Sequence, residues 1–231
     1  MDNTATSSLQ MPLSRPKRLL SLAEFVLGSF IVIGHNVFHI VPNEVPILFV
    51  LCILSVRLRE GSFAAIGLAR PKSWWLTILI ALIAAAAVVA MGEFVTDPLA
   101  KTLGLASTGE AATALGAMKG DVWTALKGLG LVWTFAAFGE ELSYRRYLLG
   151  RAADIGNRTT LAHWIALLVV SILFGLGHYY QGPAGVFTTA CDGFVIGAAY
   201  LVSGRNLWVA VLTHGMIDTF GITVLFLGLA N

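Results

Sequence analysis

Residues 138–150 read FGEELSYRRYLLG, and they stand inside a longer apolar pattern. Before them runs LKGLGLVWTFAA, and after a short polar break comes LAHWIALLVVSILFGLGH. Two adjacent carboxylates, Glu140 and Glu141, and two guanidinium groups, Arg145 and Arg146, therefore fall where the surroundings ask for a helix in lipid. An ionisable side chain at the bilayer centre costs about 2.5–3.5 kcal/mol on insertion scales. Four of them need partners or a purpose.

The rest of the chain sets the class. Of its 231 residues 57% are hydrophobic and 12% charged, with a mean hydropathy of +0.79. Soluble domains carry roughly 25% charged residues, and one core of this size cannot hide so much apolar surface from water. The reading is an all-α, polytopic integral membrane protein. Runs long enough to cross about 30 Å of hydrocarbon lie at 19–40, 74–95, 161–178, 184–203 and 206–229. A shorter run, 41–56, follows the first, and the charge-bearing run covers about 122–149. The bundle is expected to have seven transmembrane helices, or eight if 99–118, LAKTLGLASTGEAATALGAM, enters the membrane. The weak apolarity of that segment favours a loop or surface helix. Residues 1–18 read as a cytoplasmic tail and 19–231 as a single transmembrane domain. The run from Leu19 lacks a small-x-small cleavage site and is expected to stay as the first span.

Basic residues orient the bundle. With the N-terminus in the cytoplasm, Arg15, Lys17, Arg18, Arg57, Arg59, Arg70, Lys72, Arg145, Arg146, Arg151, Arg158 and Arg205 fall inside. Only Lys101 and Lys119 fall outside, and Lys127 lies within a span. Such an asymmetry follows the positive-inside rule. No basic stretch with interleaved aromatics is present, which argues against nucleic acid. Cys52 and Cys191 lie in apolar runs and read as small helix residues. In GFVIG, Gly193 and Gly197 have the small-xxx-small spacing that lets two helix backbones approach closely. The expected surroundings are membrane lipids in the plasma (inner) membrane.

On a helix, residues four apart share a face. Glu141 and Arg145 can therefore form an ion pair, while Glu140 turns roughly 100° away toward Ala136, Ala137 and Tyr144. One carboxylate is neutralised and one is spare, and a spare carboxylate in a low-dielectric site can serve as a base. Among the histidines, His163 sits beside Trp164 and reads as interfacial. His35 and His39, in HNVFH, have an i,i+4 spacing compatible with a metal. His178 ends FGLGH with Phe174 one turn before it, and His214 has Asp218 one turn after it in the last span. Three helices that each bring unpaired acid or imidazole groups stabilise one another best around one wet cavity.

Such a cluster supports two chemistries. A carboxylate with a histidine can activate water for attack on a carbonyl, with other donors on the oxyanion. Alternatively His178, His214 and a carboxylate can hold Zn²⁺ with a metal-bound water, although no HExxH is present. A non-catalytic membrane scaffold or immunity protein is the third reading.

EELSYR, FGLGH and HGMID, in that order, resemble the EExxxR, FxxxH and HxxxN/D motifs of the CPBP or ABI family of intramembrane proteases. That family includes CAAX-type prenyl endopeptidases and bacteriocin-processing enzymes. The similarity covers about residues 120–231. It implies a catalytic cavity open to the cytosol, in which Glu140 and His178 activate water and His214 and Asp218 stabilise the oxyanion. It further implies that Glu141 and Arg145 brace the site, that Phe174 contacts the substrate, and that no metal or other cofactor is required. The substrate would be a peptide or protein, which can carry a lipid. Many relatives have Asn where this chain has Asp218. An ionised carboxylate cannot donate to an oxyanion, so Asp218 is expected either to be protonated or to orient His214.

Overall fold

The computed structural model describes residues 12–62, 66–108 and 118–229. Among them there are seven continuous helices and no strand. We number these α1 (Arg15–Asn36), α2 (Glu44–Glu60), α3 (Trp74–Thr102), α4 (Val122–Ile155), α5 (Thr160–Leu176), α6 (Gly182–Val202) and α7 (Leu207–Phe226). Their starts are written in polar residues. Asn43 accepts from the amide of Val45, Ser73 from Leu76, Asp121 from Trp123 and Thr124, Thr159 from Ala162, and Asn206 from Trp208. Each side-chain oxygen satisfies an amide that the first helical turn leaves free.

Five helical stretches are long and apolar enough to cross a membrane: Arg15–Asn36, Trp74–Thr102, Val122–Ile155, Tyr179–Val202 and Leu207–Phe226. Helix α5 is apolar but has 17 residues, about 26 Å of helix, just short of the hydrocarbon thickness. Helix α2 is also 17 residues long and carries Glu44, Arg57, Arg59 and Glu60. Among the described residues, length and composition thus support five candidate spans within a bundle of seven helices, where seven or eight spans were expected.

Two boundaries differ from the sequence reading. Helix α1 begins at Arg15, because Ser14 is extended and Pro16 occupies the first turn. It ends at Asn36, and His39 adopts a left-handed backbone with φ 55° in the turn that follows. In the segment read as a candidate eighth span, α3 continues through a π turn, Gly92–Thr96, and ends at Thr102. Residues 109–117 of that segment lie outside the described residues.

Helix α4 runs through the middle of the bundle. It packs against α1 and α2 on one side and α5 and α7 on the other. Its Leu142, Tyr144, Tyr147, Leu148 and Leu149 are all fully or almost fully buried. Helices α5 and α6 lie closely together, with Gly193 against Phe174 and Gly197 against Leu167, as the small-xxx-small spacing predicts. Large apolar side chains such as Trp75, Phe94, Leu161 and Val202 stay exposed on the outside, the surface a lipid-facing bundle requires.

At the end where α1, α2 and α4 meet, the sequence reading missed a buried ionic network. Arg151 is 1% exposed and reaches Glu24 at 2.8 Å, Asp154 at 3.1 Å and Glu60 at 3.4 Å. Asp154 also accepts from Ser21 at 2.8 Å and pairs with Arg158 and Arg59. Arg59 pairs with Glu24 at 3.1 Å, and Arg18 donates to the carbonyl of Ile155 at 2.8 Å. Buried charges persist only when paired, and here the pairs cross three helices.

Candidate active site

The winding of α4 shapes the site. Over Val132–Glu140 and Leu142–Leu148 the helix widens into π turns, whose i→i+5 bonds are rare and recur at functional sites. A wider turn means a smaller angular step per residue.

Glu141 is fully buried. Its Oε1 lies 3.0 Å from Arg145 Nη1 and 2.7 Å from His214 Nδ1. The expected ion pair is thus present, but the same oxygen also holds the histidine of another helix. Arg145 is 2% exposed, donates from Nη2 to the Gly193 carbonyl at 3.0 Å, and stacks 4.5 Å above the Phe174 ring. On the far side of the imidazole, His214 Nε2 faces Asp218 Oδ2 at 3.6 Å. Of the two acids, Glu141 fixes the ring more tightly and Asp218 holds it loosely.

Phe174 is the packing hub. It is 2% exposed, meets Tyr144 edge-on at 5.0 Å and His214 at 5.9 Å, and lies 5.0 Å from the His178 ring. His178 Nδ1 is 3.0 Å from the Phe174 carbonyl. A carbonyl only accepts, so Nδ1 carries the proton, and Nε2 of the neutral ring is left with a lone pair. Helix α4 has 34 residues and α5 has 17. A Cβ at Gly177 would lie 2.8 Å from Tyr144 Oη, so α5 ends level with the motif while α4 continues past it.

Glu140 Oε2 is buried without a hydrogen-bond partner, and no ion pair involves it among the described residues. Glu141 Oε2 is also buried without a hydrogen-bond partner, although its Oε1 is doubly engaged, and Glu140 lacks even that. Glu141, its neighbour in sequence, holds His214, and His214 faces Asp218. Glu140 therefore shares its surroundings with the His214–Asp218 pair.

Glu44 was not singled out by the sequence. It is 6% exposed, accepts from Asn36 Nδ2 at 3.0 Å, and sits 3.2 Å from His35 Nε2. An acid at the head of an apolar run, eight residues after Asn36, was the available signal. The proposed His35–His39 pair does not form. His39 is exposed in its left-handed turn, so the α-helical spacing that would align the rings has ended, and His35 turns to Glu44 instead. His163 lies near the opposite end of α5 from His178. Its Nδ1 donates to the Thr159 carbonyl at 2.9 Å, and its Nε2 accepts from Arg205 at 3.3 Å.

Among the described residues no group of three or more His, Cys, Asp or Glu side chains is arranged to hold a metal ion. His178 and His214 both border Phe174 but share no carboxylate between them.

Residues 121–220 match the family model described as Type II CAAX prenyl endopeptidase Rce1-like. The matched segment, 100 of the 231 residues, contains all three motifs. No curated protein and no solved structure matches.

Proposed function

Taking the CPBP/CAAX protease family as the premise, we propose that this integral membrane protein is an intramembrane endopeptidase that hydrolyses a peptide bond with water activated at Glu140 and His178, without a bound metal. The observation that carries this reading is the unpartnered Glu140 carboxylate beside the clamped His214. In the proposed reaction His178 Nε2 accepts a hydrogen bond from water and orients it. Glu140 takes a proton as the water oxygen adds to the carbonyl carbon. His214, doubly protonated, keeps Nδ1–H on Glu141 and turns Nε2–H to the oxyanion, while Asp218 orients the ring. Collapse breaks the C–N bond, and Glu140 returns its proton to the leaving amine. Arg145 and Glu141 act as the brace, and Phe174 as the wall that seats both histidines.

An apolar groove of about 280 Å³ between α2 and α4, lined by Val45, Pro46, Phe49, Phe135, Phe138 and Gly139, ends next to Glu140 in sequence. It suits an apolar substrate chain, which supports a lipid-modified peptide as the substrate class. In the same proposal the N-terminus is cytoplasmic, the site opens to the cytosol, and the membrane is the plasma (inner) membrane.

The test is turnover of a peptide library, with and without a prenylated cysteine, by purified wild type and Glu140→Gln before and after exhaustive chelation. Glu140→Gln should cost about 10²–10⁴ in rate and leave the fold intact. Undiminished turnover by Glu140→Gln rejects the proposed base. Activity that is lost on chelation and restored by Zn²⁺ rejects the metal-free mechanism. No cleavage of any member by folded wild type leaves the scaffold reading standing.

A further inference from the structure

Two cavities, of about 390 and 300 Å³, adjoin where the turn ending α4 faces the turn between α6 and α7, and both are lined by Arg158, His163, Gly204 and Arg205. The inner one is walled by Arg146 and Arg151 together with Glu60 and Asp154. Four guanidinium groups therefore face two carboxylates. Both carboxylates are engaged: Asp154 by Arg151, Arg158, Arg59 and Ser21, and Glu60 by Arg146 and Arg151. Arg205 is exposed and has no carboxylate within ion-pair distance among the described residues. Its polar contact is His163 Nε2 at 3.3 Å. Arg205 can only donate, so in this contact His163 Nε2 is the acceptor while Nδ1 donates to Thr159. Glu24, which pairs with Arg151 at 2.8 Å from outside the lining, offsets a third guanidinium, and the surplus of one positive charge falls on Arg205.

Two further features point to an anion with an apolar body. Arg158 and Arg205 both hold left-handed backbones, φ 56° and 64°, a strain that clusters at ligand clamps. The lip of the outer cavity is Trp164 and Val202, 37% and 70% exposed, at the end of a bundle whose outer surface is apolar. A soluble anion has no use for that lip. Guanidinium groups are the usual partners of phosphate oxygens, and basic pockets between membrane helices suit lipid head groups.

We propose that this double cavity binds the phosphate of an anionic membrane phospholipid, with Arg205 and Arg158 on the phosphate oxygens and Trp164 and Val202 against the start of the acyl chains.

Arg205 is the residue to change, since replacing it breaks no ion pair, whereas Arg158 is tied to buried Asp154. The full chain in detergent would be titrated with dioleoyl phosphatidylglycerol or dioleoyl phosphatidylcholine and read by native mass spectrometry. Wild type, Arg205→Gln and Lys72→Gln would be compared. Lys72 is exposed near the head of α3, which sits beside α7 through the Asn206–Thr77 hydrogen bond, and it does not line either cavity. The expected result is phosphatidylglycerol binding that weakens about tenfold or more in Arg205→Gln, the range of a charge-assisted hydrogen bond. Lys72→Gln should match wild type, and phosphatidylcholine should bind weakly to all three. Equal binding of the two lipids, or equal loss in Lys72→Gln, overturns the site. Displacement of phosphatidylglycerol by an equal concentration of inorganic phosphate assigns the cavity to a soluble anion and overturns the lipid. An unchanged thermal midpoint for Arg205→Gln makes any loss of binding local.

Discussion

Removing Arg145 should unfold more than it disarms. Arg145→Ala deletes the cation 3.0 Å from a fully buried Glu141, a hydrogen bond to the Gly193 carbonyl, and a guanidinium stacked on Phe174. Breaking a buried pair by removing one partner costs about 3–5 kcal/mol, because the remaining charge is stranded. Here His214 Nδ1 still donates to Glu141 at 2.7 Å, which places the loss near the lower end, about 3 kcal/mol. At roughly 2–4 °C per kcal/mol for a chain of this size, the midpoint should fall by about 6–12 °C. The buried thiol of Cys52 provides the assay: in a Cys191→Ser background, a thiol-reactive dye labels it only as the bundle opens. Arg145→Lys should recover part of the loss, since it restores the charge but not the planar stacking. The double variant Glu141→Gln/Arg145→Met should be more stable than Arg145→Ala. An Arg145→Ala protein melting within 2 °C of wild type would refute the bracing role.

Gly193→Ala would place a Cβ 2.8 Å from Phe174 Cδ1, and Phe174 is backed by Tyr144 and Arg145. The overpacking should cost about 1–3 kcal/mol, read as a lower midpoint by the same labelling assay. Asp121 caps α4 from the aqueous side, and its carboxyl is held below the usual range first by the Thr124 hydroxyl, then by the Thr124 amide. Because the folded value is depressed, its contribution is complete above the ordinary Asp pKa of about 3.9 and is lost as pH falls through the lower folded value. Hydrogen exchange at Trp123 and Thr124 should accelerate across that acid window in wild type and show no such step in Asp121→Asn. For topology, cysteines at positions 14 and 73 should label only from the cytoplasmic side, and labelling from outside alone would reverse the proposed orientation.

The parts of the site legible in sequence are those that live on one helix. Glu141 and Arg145, four residues apart, pair as their spacing predicts, and His214 and Asp218 face one another for the same reason. What crosses helices was hidden. The hydrogen bond from His214 to Glu141 spans 73 positions, and no periodicity announces it. Hydropathy failed at His39 because Ile40 and Val41 continue the apolar run while the backbone turns. It failed again at Arg151 and Asp154, since counting charges assigns them to water, whereas these two are buried against α1 and α2. The π winding of α4 leaves no mark in composition at all.

The ionic network has a consequence for how the bundle is put together. Glu24 on α1, Arg59 and Glu60 on α2, and Arg151 on α4 satisfy one another only when all three helices stand side by side. The local pairs of Asp154 with Arg151 and Arg158 lie within one segment, whereas those of Arg151 with Glu24 and Glu60 need the other two helices. A neighbour misplaced beside α4 would leave these buried charges unpaired, a cost that the correct association of the three helices removes. Residues 15–60 lie outside the family-matched segment and contain none of its three motifs. Yet their charged groups are the partners of Arg151 and Asp154 on the helix that also carries Glu140.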